Sequence, residues 1–512
     1  MAYLLGLDLG TTGAKALIVD TEGNMCAQGY CEYPCTYPKP AWVEQDVDLV
    51  VARSFEAVRS ALEQAKIDPG AILSMSLSSQ RCCTIPIDGT GKLVRSMISW
   101  QDNRNCEELD ILRNEITEKR FYQMTGFPLN TTWIIGKLLW LKRNEPESFE
   151  RTVRFVQLHA YVLKAYGADD YYDDVSDAGF YGIWDPERLD WHGELCDIVG
   201  LKPSRLPRIE RSGTVIGRLS LEAARKTGLS EGMPLCIGAG DQNAAAVGAG
   251  VVLPGTGNVS LGTGGAAVAY SDIPFRDANE KTMVTHHPIP GKWMIEGYQA
   301  GAASVYRWFR DEITSLEKAF AQHSTHDVYS LLDVMVEQIP PGSKGLILLP
   351  YFAGSAAPRW NPEARGTLIG LTFAHDRSCL VRAFMEGITL EVRDMLQSIR
   401  NAGVNLHDIR ILGGPTRSSV WNQIQADVYG CPVQTLKRTD AAAVGAAIFA
   451  GVGAGVFGDI VEGCRKMVGI DKSFTPNPDN VPVYDKSYDI FCRAYETLTQ
   501  SGVFNAIAES QV

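Results

Sequence analysis

Residues Gly6–Lys15 read GLDLGTTGAK, and what this turn connects decides the fold. Glycines, threonines and a lysine this close together suit a loop that grips phosphate, with backbone N–H groups and hydroxyls as donors. The spacing is neither G-x-x-x-x-G-K-[ST] nor G-x-G-x-x-G. YLLGLDL, at 3–9, is a short apolar run, and KALIVD, at 15–20, alternates as a strand does. TEGN then turns the chain into MCAQGYCEY. The opening is therefore strand–turn–strand–turn–strand, an antiparallel meander, whereas a P-loop leads into a helix. A plain hairpin would use the same glycines for positive φ. In the functional reading Thr11, Thr12 and Lys15 meet phosphate, and Asp8 offers the hard oxygen that Mg²⁺ prefers.

The device returns at 256–270, TGNVSLGTGGAAVAY, where Gly262 and Thr263 occupy the turn. Two such loops in halves of similar length fit a nucleotide clamped from both sides. They predict two related α/β domains with a cleft between them, 1–250 and 251–512, the boundary falling around 248–258. A chain of 512 residues is also too long for one ordinary core. Between the loops, apolar spacing predicts a helix over about 47–66 and a strand at AILSMSLSS. Further helices are expected at CEELDILRNEI and IIGKLLWLKRN.

Two more stretches carry chemistry. In IGAGDQNAAAVGAG, Asp241 is alone among uncharged residues. Such an Asp can cap a helix, and at a cleft it can also take the proton of a substrate hydroxyl. Over 411–433, ILGGPTRSSVWNQIQADVYGCPV reads as strand, turn and amphipathic helix. Gly413 and Gly414 let a flat group approach the backbone, and with phosphate loops nearby adenine is the expected occupant.

Composition narrows the classes. Hydrophobic residues at 45% and charged residues at 21% describe a soluble globular protein. Lys and Arg number 48 against 60 Asp and Glu, a net charge of −12 with no basic block, which argues against nucleic acid as a partner. MAYLLGLDLG lacks a basic start and Asp8 interrupts its apolar run, so a signal peptide is not expected. The uncharged stretches 242–270 and 441–458 are too rich in Gly and Ala for membrane spans and read as packed interior. Twelve cysteines without a C-x-x-C pair, and eight histidines off zinc spacing, predict free thiols in a reducing cytoplasm.

Taken in order, DLGTTGAK, GAGDQ, LGTGG, GGPTRSSVWNQIQADVYGCPV and AAAVGAAIFAG resemble the FGGY family of carbohydrate kinases over essentially the whole chain. GKLLWLKRN is similar to part of the family's first signature, with Ile134 where a small residue or proline is usual. The resemblance implies two ribonuclease-H-like domains closing about a hinge, the fold of sugar kinases, actin and heat-shock chaperone ATPases. It implies ATP and Mg²⁺ as cofactors, Asp8 at the metal, Asp241 as general base, Thr263 in the second phosphate loop, and Gly413 and Gly414 at adenosine. The acceptor would be a small sugar or polyol, held by Gln80, Arg81, Asp102, Arg104 and Gln242, with no nucleic acid or membrane partner and a homodimer left open. Gln80-Arg81 resembles glycerol kinases, although Cys82 and Thr132 stand where those carry an acidic residue and a tyrosine. WQDNR is close to the W-x-D-x-R of xylulose kinases, and the C-terminal half looks like autoinducer-2 kinases. The expected reaction is ATP-dependent phosphorylation of a primary hydroxyl, with D-xylulose the leading acceptor. A non-catalytic sugar-responsive regulator on the same fold is the rival from another class.

Overall fold

In the computed structural model, which describes residues 1–511, the opening meander forms as its alternation requires. Strands β1 (Tyr3–Leu9), β2 (Gly13–Asp20) and β3 (Met25–Glu32) run antiparallel in that order. Helix α1 (Val47–Ala65) follows, its start capped by Asp46, which accepts the N–H groups of Asp48 and Leu49. Its apolar stripe, Val47, Val50, Val51, Phe55 and Val58, is buried against the meander. The chain then enters β4 (Ile72–Ser79), parallel to β1 on the side away from β2. Strands β5 (Val215–Arg218) and β6 (Pro234–Gly240) complete a six-stranded sheet ordered β5-β6-β4-β1-β2-β3. Helix α2 (Asp241–Gly248) begins where β6 ends.

The second half repeats this plan. Strands β7 (Thr256–Leu261), β8 (Gly265–Ser271), β9 (Met283–His286) and β10 (Trp293–Gln299) form its antiparallel part. After the long helix α3 (Arg377–Asn401) come β11 (Asp408–Gly413), α4 (Ser419–Tyr429), β12 (Val433–Leu436), α5 (Ala441–Gly453) and β13 (Ile470–Phe474). The seven-stranded sheet is ordered β9-β10-β8-β7-β11-β12-β13. In one sheet β3-β2-β1-β4-β6, and in the other β10-β8-β7-β11-β12, give a meander followed by two parallel strands. This is the duplicated α/β plan that the two glycine turns predict. The helices expected between the loops form at Cys106–Glu115 and Ile134–Asn144.

The uncharged stretch near residue 441 is α5, buried against β1, β4 and α2 of the first half. Small residues allow this. A Cβ on Gly6 would lie 2.0 Å from the Ala443 carbonyl oxygen, and one on Gly445 2.0 Å from that of Ala244. Backbone meets backbone here, so Ala and Gly are required by space rather than by propensity. Among the described residues no helix is long and apolar enough to cross a membrane. All twelve cysteines are free.

Candidate active site

Register gathers the candidate residues at one edge of each sheet. Asp8 pairs with Ser78 and Leu9 with Ser79 across β1 and β4, and Ser79 pairs with Gly240 across β4 and β6. The carboxyl ends of three parallel strands therefore release Asp8, Gln80-Arg81 and Asp241 side by side. Ligands of open α/β sheets bind outside such ends. In the second sheet Leu261 pairs with Gly413, so the turn at Gly262–Gly264 and the Gly413-Gly414 pair also leave together.

Asp8 accepts a hydrogen bond from the Ser78 hydroxyl at 2.9 Å. Its carboxyl is pushed up to about 6, chiefly by burial and with help from Asp241 and Asp440, against the opposing Ser78 bond and Lys15. Lys15, opposite Asp8 on β2, pairs with Asp440 at the start of α5. The Asp8 carboxylate offers the hard oxygen a divalent cation prefers, and Asp241 and Asp440 lie near enough to raise its pKa, with Lys15 paired to Asp440 and Arg81 to Asp241.

Asp241 is the first residue of α2, with Gly240 at the N-cap position, so the side chain is not a helix cap. Its Oδ1 accepts the Gln242 backbone N–H at 2.8 Å and lies 3.2 Å from Arg81 Nε. Burial raises the Asp241 pKa, Arg81 opposes the rise, and the nearby Glu296 adds to it. Arg81 itself donates to Glu296 through Nη1 at 2.8 Å and Nη2 at 2.6 Å, and to Asn243 Oδ1 at 3.3 Å. Its guanidinium sits 4.0 Å from the centre of the Phe180 ring. Asp177, whose carboxyl feels the Arg81 charge, belongs to a buried cluster with Asp173 and Asp174 whose carboxylate oxygens lie within 4.8 Å of one another, and burial holds all three pKa values above the usual range.

The phosphate-loop candidates remain accessible. Thr12 and Thr263 are exposed, and Thr11 accepts the Trp100 indole N–H at 3.0 Å. Gln45 and Tyr33 brace this first turn through the carbonyls of Thr11 and Gly10. In the second turn the Thr263 carbonyl accepts from Ala302 and Ser304, tying the loop to the next helix start. Gly413 has φ +95°, and a Cβ there would strike the Leu261 carbonyl oxygen at 2.3 Å. Gly414 is exposed, and a Cβ on it would meet nothing within 4 Å, which leaves room for a flat ligand.

The acceptor candidates divide. Gln80 is buried, bonded to Gln45 at 2.7 Å with its own carbonyl oxygen unpartnered, and the Gln242 side-chain oxygen is likewise buried without a partner. Asp102 and Arg104 bond each other. Asp102 takes both Arg104 Nε and Nη2 as well as the backbone N–H groups of Val43 and Arg104. Arg104 also bonds Glu44, lies 3.8 Å from the Trp42 ring centre, and buries Nη1. Their spacing in WQDNR, two residues apart, lets them bond each other inside the first half, with Arg104 Nη1 left buried and unpartnered.

Comparison with known proteins identifies the assembly. Residues 3–248 match the FGGY family of carbohydrate kinases, N-terminal domain, and residues 257–454 match its C-terminal domain. The chain belongs to the FGGY family of carbohydrate kinases. It is 29% identical over 508 residues to a xylulose kinase of Bacillus subtilis (strain 168), covering 97% of each chain. It is 31% identical over 506 residues to an autoinducer-2 kinase of Escherichia coli (strain SMS-3-5 / SECEC), covering 96% of this chain and 94% of that one. A crystal structure of gluconate kinase from Lactobacillus acidophilus superposes with TM-score 0.89 at 26% identity, covering 97% of this chain and 98% of that one. This FGGY kinase therefore has the two-domain actin-like fold and transfers phosphate from ATP to an alcohol group of a small carbohydrate.

Several residues of the kinase carry little or no signal in one sequence. Glu296 sits in an apolar strand, WMIEGYQ, and only the sheet brings it to Arg81. Asp440 lies 425 residues from Lys15 along the chain. Lys137, fully buried in a helix, donates to the carbonyls of Cys82, Ser99 and Thr132 at 2.9, 2.9 and 3.0 Å. All three ammonium hydrogens are used, so one side chain pins three segments of the first half together. The notice to look there was a lysine inside an apolar helix, which burial permits only with such partners.

Proposed function

We propose that this kinase phosphorylates a primary hydroxyl of a small sugar or polyol, with Asp241 as general base and D-xylulose as the leading acceptor. The observation that carries the reading is the common edge from which Asp8, Arg81 and Asp241 leave, together with the paired Gly262–Gly264 and Gly413-Gly414 loops of the second sheet. The two halves divide near residue 250. Thr11, Thr12, Gly262 and Thr263 bind phosphate oxygens, while Gly413 and Gly414 border adenine. Lys15 holds Asp440 beside Asp8 and limits the negative charge there. Gln80 and Gln242 offer unpartnered amide oxygens to acceptor hydroxyls.

Asp241 accepts the acceptor's hydroxyl proton as its oxygen attacks the terminal phosphorus, and ADP leaves. General-base assistance of this kind contributes about 10²–10⁴-fold, the remainder coming from positioning and charge neutralisation. Asp8, with Asp241 and Asp440 nearby, would hold Mg²⁺, which when bound neutralises phosphate charge. The similarity to both xylulose and autoinducer-2 kinases makes the autoinducer-2 precursor the second acceptor to consider. A coupled ADP-release screen across ketopentoses, glycerol and other polyols, hexonates and that precursor tests the reading. One acceptor is expected to raise turnover well above background hydrolysis. No stimulation by any of them would favour a regulator on the same fold.

A further inference from the structure

Glu296 lies in the middle of β10, in the second sheet, and is 1% exposed. A buried carboxylate costs several kcal/mol unless it is paired, and here both its oxygens receive one guanidinium in a fork. That guanidinium belongs to Arg81, which follows β4 of the first sheet, so the pair crosses from one half of the molecule to the other. Phe180 backs the guanidinium plane and Asn243 accepts from Nη1, so Arg81 has little freedom left. The remaining edge, Nε, meets Asp241 Oδ1, the oxygen that also accepts the Gln242 backbone N–H. Asp241 Oδ1 is thus held from two directions.

We propose that Glu296 is a positioning residue for phosphoryl transfer: it clamps Arg81 across the two halves, and Arg81 in turn aims the Asp241 carboxylate at the acceptor hydroxyl. The proposal rests on Asp241 being the base. It also revises the part expected of Arg81, whose donors go to carboxylates of the protein rather than to the sugar. Because Glu296 comes from the second half and Arg81 and Asp241 from the first, the base is correctly aimed only while the halves stand as they do here. Loss of the clamp should therefore lower the rate of transfer and leave substrate affinity nearly alone.

The test uses the full chain, ATP and the acceptor that gives the wild type its greatest ADP release. Glu296→Gln keeps the side-chain shape and removes the charge. It is expected to lower kcat about ten- to a hundredfold, with KM for ATP and for the acceptor changed less than about twofold. Glu296→Asp, which keeps the charge on a shorter stem, is expected to recover part of the loss. If Glu296→Gln does not fold, a lowered kcat at unchanged KM in Glu296→Asp supports the same claim. In an Asp241→Asn background, Glu296→Gln should cost no more than about twofold, because both act through one group. A folded Glu296→Gln variant with normal kcat, a rise in acceptor KM at normal kcat, or a full additional loss in the Asp241→Asn background would overturn the proposal. Normal turnover in Asp241→Asn alone would instead overturn the assignment of the base.

Discussion

Asp8 illustrates how one residue gathers meaning from its neighbours. Its position before a glycine turn suggests a metal ligand, and the fold brings Asp241 and Asp440 toward it, with Lys15 among them. Ions of like sign buried together are costly, and a divalent cation offsets that cost. Asp8→Ala should therefore raise the Mg²⁺ concentration needed for half-maximal turnover by about tenfold or more while the protein stays folded. A magnesium titration of ADP release, with circular dichroism as the folding control, checks this. An unchanged requirement would move the cation elsewhere. Arg81 and Asp102 teach the opposite lesson: a charged side chain near a cleft need not be free for ligand. Arg81 is spent on Asp241 and Glu296, and Asp102 on Arg104.

Elements were legible where chemistry is local. The opening meander, α1, β4 and the helix at Ile134–Asn144 follow from apolar spacing, Gly-containing turns and caps within a few residues. Asp8, Asp241 and the glycine turns stand out in the sequence because their motifs are contiguous, and the fold brings them to the carboxyl edges of the two sheets. What one strand does to another across hundreds of residues was not: nothing local marks Glu296 or Asp440 until register and helix packing bring them to Arg81 and Lys15. The same limit applies to α5, whose Ala and Gly content marked it as interior without naming its neighbour. Packed on α2, it supports the helix that begins with Asp241. Gly445→Val would push side-chain carbons into the Ala244 carbonyl, where even a Cβ would lie at 2.0 Å. Overpacking of this sort costs about 1–3 kcal/mol or more. The variant should melt lower and turn over more slowly, as thermal unfolding and steady-state rates can check; wild-type behaviour in both would mean the helices separate freely.

The whole molecule couples two halves of one plan across a cleft, and the chemistry needs contributions from both. We propose that the glycine loops of the second sheet and the acceptor side of the first close on each other when substrates bind, which would keep water from the terminal phosphate. Solution scattering is expected to give a smaller radius of gyration with acceptor and a nonhydrolysable ATP analogue together than with neither, and the same radius in both states would count against closure. Such closure would bring the Arg81–Glu296 pair under the influence of substrate, since it joins the two sheets. In the proposed mechanism all of this serves one event, the passage of a hydroxyl proton to Asp241 as phosphorus is attacked. The most direct measurement is acceptor-dependent ADP release by the wild type and by Asp241→Asn, with binding of ATP and acceptor measured on the same samples. The account predicts binding within a few fold of wild type and a loss of transfer of at least about a hundredfold. Near-normal transfer by Asp241→Asn would contradict it.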